Sequence, residues 1–179
     1  MNKIKYFIKL FIFWLLYFLV NRLFFIAFYY QEFSSCSFIE FAQILPKSLP
    51  LDLSFIAYLS AILVILLFVN SFVVKSKFNL FVSNSIFVVN SFFILITALI
   101  IGSEIALYEE WSTKLNFTAI RHFKNPSEVF LTATLQNYVV VLFSLIIAFA
   151  FIKLYKKAVH QDFFAERKNC LIKIIKLPI

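Results

Sequence analysis

An all-α integral membrane fold with four transmembrane helices is predicted by three features of this sequence. The first is composition: 63% of the 179 residues are hydrophobic, 26 are phenylalanine and a single one is glycine. A soluble domain is usually about 45–50% apolar, so this chain suits lipid as its solvent. The second is length. The apolar residues gather in four stretches, 11–30, 53–74, 81–101 and 138–155. Each is long enough to cross a hydrocarbon core of about 30 Å at about 1.5 Å per residue. The third is the uneven placement of lysine and arginine between these stretches.

That placement orients the chain. Lys3, Lys5, Lys9, Lys75, Lys77, Lys153, Lys156, Lys157, Arg167, Lys168, Lys173 and Lys176 fall on one side of a four-span threading. The other side carries Lys47, Lys114, Arg121 and Lys124, and Arg22 lies inside a span. The acids are distributed oppositely, with Glu32, Glu40, Asp52, Glu104, Glu109, Glu110 and Glu128 against Asp162 and Glu166. Because the Lys/Arg bias sets orientation, both termini are expected in the cytoplasm, with 31–52 and 102–137 outside. The net charge of +8 is thus a topology signal and a source of headgroup contacts, and it argues against nucleic acid as a partner. The lipid bilayer is the expected partner. Connections of about 20, 6 and 36 residues and a tail of about 24 are too short for an independent soluble core. Residues 1–155 therefore read as a four-span domain, and 156–179 as a basic cytoplasmic tail whose apolar, lysine-punctuated end is either the approach to a fifth span or an out-of-frame ending.

Each element follows from local pattern. Lys3, Lys5 and Lys9 precede the first span, and Tyr29 and Tyr30 close it at headgroup depth, which aromatic rings favour. Phe38, Phe41, Ile44 and Leu45 predict a short interfacial helix on the outer side. Pro46 and Pro50 are expected to break it before the second span. The stretch 71–79 is a tight connection that pairs spans two and three as a hairpin. Cys36 and Cys170 fall on opposite sides of the membrane, so neither a disulfide nor a zinc site is expected.

Polar residues within the spans are few. Arg22 lies near the middle of the first stretch, where an arginine costs at least about 2.5–3.5 kcal/mol to insert. Either it snorkels outward, or it pairs with Asp52, with Glu104 as the second candidate. Asn21, Asn70, Asn90 and Gln136 read as interhelical hydrogen-bond partners or interfacial residues. There is no Gly-rich phosphate loop, no His/Glu pair at metal spacing, and no Ser/His/Asp arrangement. His122 and His160 lie on opposite sides of the membrane. With one glycine there is no GxxxG motif. No catalytic residue, metal ligand or cofactor is expected in this chain.

The segment after span three carries the most information. It reads SEIALYEEWSTKLNFTAIRHFKNPSEVFLTAT from Ser103. Tyr108, Trp111 and Leu115 share one helical face, as in a helix emerging from span three along the outer interface. Asn125, Pro126 and Glu128 read as N-cap, first and third positions of a helix leading into span four.

These residues resemble the membrane region of the bacterial lipoteichoic acid synthase-like family, sulfatase-fold phosphoglycerol transferases of the alkaline phosphatase superfamily. The similar positions are Glu104, Tyr108, Trp111, Leu115, Pro126 and Glu128. Arg22-Leu23-Phe24 and Leu51-Asp52-Leu53-Ser54 with Tyr58 are similar too, so the likeness covers most of 5–155. Ser112 departs from it, since relatives often carry glycine after the tryptophan.

The resemblance implies five spans followed by an extracytoplasmic hydrolase-like domain holding a threonine nucleophile and a divalent metal. Four spans leave no room for that domain here. The chain is therefore expected to be the membrane anchor of such an enzyme, truncated or partial and without activity of its own, with a separately encoded sulfatase-like domain as a candidate partner. The alternative is a stand-alone small multi-span protein, a transporter or an assembly or scaffold subunit.

Overall fold

The structure, a computed structural model, describes residues 3–33, 38–73, 76–111 and 134–160. The described residues are helical almost throughout. In chain order they form α1 (Lys3–Phe28), α2 (Tyr30–Phe33), α3 (Phe38–Phe72), α4 (Ser76–Trp111) and α5 (Leu135–Tyr155), with a π-helical turn at Lys156–His160. Four segments are long and apolar enough to span a bilayer: Ile4–Phe28, Pro46–Phe72, Lys77–Tyr108 and Leu135–His160. The four-helix, all-α membrane fold expected from composition is the fold observed.

The helices outrun the apolar stretches that predicted them. α1 takes in Lys5 and Lys9, since a long lysine side chain lets its ammonium snorkel toward an interface while the backbone stays helical. The larger correction concerns α3, which runs unbroken through Pro46 and Pro50, where a break was expected. The two prolines are four residues apart and both exposed. The backbone bonds they remove therefore lie on one outer face, and the helix continues past them. Likewise, α4 carries span three on to Trp111 as one helix. The expected positions of Cys36, Leu115, His122, Asn125, Pro126, Glu128 and Cys170, and the tail beyond 160, lie outside the described residues.

Burial sorts the side chains by a membrane's logic. Ile8, Ile65, Phe68, Phe72, Phe81 and Val88 face outward, whereas Asn21, Asp52, Asn70, Ser83, Asn90, Thr97 and Ser144 are buried. Lipid solvates an apolar surface without cost, while a polar group left facing it lacks hydrogen-bond partners. Each helix accordingly buries one stripe at helical spacing: Tyr6, Leu10, Phe13, Trp14, Tyr17 and Asn21 on α1, and Asp52, Ile56, Leu59, Leu63, Leu67 and Asn70 on α3.

Contacts divide the chain into two compact units. The first holds residues 1–90 and 153–179. Within it α1 runs antiparallel to α3: Trp14 and Phe18 pack on Phe55, at 5.1 and 5.3 Å between ring centroids, and Arg22 meets Asp52 further along. The second unit, residues 91–152, joins the later part of α4 to most of α5. Here the lone glycine finds its reason. A Cβ on Gly102 would stand 3.0 Å from Ser144 Oγ and 3.2 Å from Val141 Cα. Ala98 and Gly102 on α4, and Ser144 and Ala148 on α5, are all buried. Small residues four apart let backbones approach closely without a GxxxG pair. Thr97 and Ser144 satisfy their hydroxyls on their own helices, at the carbonyls of Phe93, Ile94 and Val140.

Candidate functional site

The interior of the first unit holds two polar groups among the described residues, beginning with Arg22. Its Nη2 donates to Asp52 Oδ1 at 2.6 Å. The Asp52 side chain is 6% exposed and that of Arg22 23%. Arg22 lies six residues before the end of the span Ile4–Phe28, and Asp52 six residues after the start of Pro46–Phe72. Six residues of helix are about 9 Å, so the antiparallel pair brings both charges to one depth. The longer α1 also corrects the mid-depth reading of Arg22, which sits toward one end of its helix. Insertion is less costly there than at the centre.

A second polar group lies toward the other end of α1. Trp14 Nε1 donates to Asn90 Oδ1 at 3.3 Å, and Asn90 Nδ2 donates in turn to Ile86 O at 2.9 Å. The hydroxyls of Tyr6 and Tyr155 lie 3.3 Å apart, and Tyr155 also engages the Asn90 side chain. Trp14, Tyr6, Tyr155 and Asn90 are all fully buried. Phe87 stacks on the Tyr155 ring at 17° between planes, and the His160 ring lies 5.4 Å from Phe87. His160 Nε2 is 3.3 Å from Ser83 Oγ. The π-helical turn makes this reach possible. Its wider winding adds a residue to the turn, a feature often found where a helix is shaped for a purpose. It tucks Tyr155 and Val159 inward while Lys156 and Lys157 stay exposed.

The structure thus unites Arg22 with Asp52 and treats the other predicted residues separately. Glu104 and Tyr108 are half-buried one turn apart on α4, in the second unit, and Trp111 is the last residue of that helix. Pro126 and Glu128 lie outside the described residues. Of the four amides read as interhelical partners or interfacial residues, Asn90 is an interhelical partner. Asn21 Nδ2 donates within its own helix, to Tyr17 O at 2.8 Å. Gln136 is exposed at the start of α5. Asn70 is buried with neither amide atom hydrogen-bonded.

Sequence reading passed over the Tyr6–Trp14–Asn90–Tyr155 group. A signal was present in α1, where each ring bearing an N–H or O–H falls on the stripe Tyr6, Trp14 and Tyr17 while the opposite face holds isoleucine and phenylalanine. Aromatic residues with a polar handle seek a partner when buried, and that spacing points them inward together.

Among the described residues no three His, Cys, Asp or Glu side chains gather as metal ligands would. What the fold and this polar interior define is a multi-pass α-helical membrane protein. Comparison with protein families, curated proteins and solved structures finds no match to the chain.

Proposed function

We propose that this chain forms the membrane portion of a bacterial lipoteichoic acid synthase-like phosphoglycerol transferase, seated in the cytoplasmic membrane with both ends inside. The observation that carries the reading is the Arg22–Asp52 pair. Two stretches of the resemblance, Arg22-Leu23-Phe24 and Leu51-Asp52-Leu53-Ser54, are about thirty residues apart in sequence yet joined at 2.6 Å in space. A guanidinium fork is well suited to a carboxylate, so the contact gives the two stretches that carry the resemblance one structural purpose.

On this reading the pair is a structural clasp between the first two spans. Glu104, Tyr108 and Trp111, with Pro126 and Glu128 beyond them, shape the outer segment between spans three and four. The role of these residues is anchorage. Phosphoglycerol transfer belongs to a sulfatase-like domain on the outer side, the partner of this membrane portion, and no nucleophile or metal ligand is assigned here.

The test is the DNA that follows this coding sequence. A sulfatase-like domain with its threonine nucleophile, in the same or a shifted frame, supports the proposal. An unrelated gene there, with no sulfatase-like protein retained when the tagged chain is purified from its own membranes, overturns it and leaves a small self-contained membrane protein.

A further inference from the structure

We draw no further inference here: the strongest candidate, the outward stripe of α3 that sets the exposed Tyr58 among Ser54, Ala57 and Ala61 midway along the span Pro46–Phe72, is an unpartnered helix face, and nothing in the structure shows what covers it.

Discussion

Arg22 and Asp52 meet at 2.6 Å from positions six residues inside neighbouring ends of two antiparallel spans, with the carboxylate the more buried partner. Removing one member of a buried pair typically costs about 3–5 kcal/mol, because the other charge is stranded. The partial exposure of Arg22 draws its own deletion toward the lower end. Asp52→Asn and Arg22→Leu should each lower the detergent melting temperature. The double variant should recover part of the loss, as contacting residues do in a cycle. If the double loss equals the sum of the singles, the pair is uncoupled and Arg22 is held by lipid instead.

The indole of Trp14 donates to Asn90 inside the first unit. Interhelical bonds of this kind average about 0.6 kcal/mol in membranes and reach about 1.7. Asn90→Leu leaves the indole N–H without its acceptor and should destabilise by about 1 kcal/mol. Trp14 and Trp111 are the two tryptophans of the chain, so a Trp111→Phe background isolates the Trp14 emission. That emission should shift to the blue on Asn90→Leu. An unmoved spectrum would mean that the hydrogen bond is absent in the membrane.

Gly102 is packed so closely that a methyl group there would press on Ser144 and on the Val141 backbone. Alanine improves helix propensity by about 1 kcal/mol, but crowding a packed site costs about 1–3 kcal/mol, and a backbone atom yields less readily than a side chain. Gly102→Ala should therefore be a net loss, Gly102→Leu a failure to fold, and Ser144→Gly should recover part of the alanine loss. A more stable Gly102→Ala protein would show that the helices have room to spare.

These sites differ in how far they could be read from the sequence. Span number followed from apolar length alone, because the bilayer fixes how much hydrocarbon-compatible chain each crossing needs. The Arg22–Asp52 pair was legible as one of three possibilities, since a charge within a span demands an answer and few acids lie nearby. Its depth was misread because α1 extends back over Lys5 and Lys9. The break expected at Pro46 and Pro50 failed for a related reason: a rule for helix interiors in water says less where both prolines face outward and the backbone has no competing solvent. The α4–α5 contact was hidden by counting glycines, when Ala98, Ser144 and Ala148 serve the same purpose. Which helices bring Tyr6 to Tyr155 is a matter of tertiary pairing, on which one-dimensional spacing is silent.

Topology is open to direct measurement. On the orientation expected from the lysine and arginine distribution, the end of α5 is inside and the stretch around Lys124 outside. Alkaline phosphatase fused after Lys157 should be inactive, and fused near Lys124 it should be active. Equal activity of both fusions would rule out the four-span threading, and reversed activities would invert its orientation.

Asn70 closes the buried stripe of α3 at the end opposite Asp52, and both its amide atoms are buried without a hydrogen-bond partner. A polar group in that condition costs about 1–3 kcal/mol of desolvation that nothing returns. Valine is close to asparagine in volume and carries no such cost. Asn70→Val should therefore raise the detergent melting temperature, by the equivalent of about 1 kcal/mol, whereas Asn70→Ala should gain less because it leaves a void. Asp52→Asn, at the other end of the same stripe, should move the melting temperature the opposite way, which guards against a general response of α3 to substitution. A loss of stability in Asn70→Val would reverse the assignment: the amide would then hold a water, an ion or a lipid group in the membrane, and Asn70 would join Asn90 as an organising contact of the first unit.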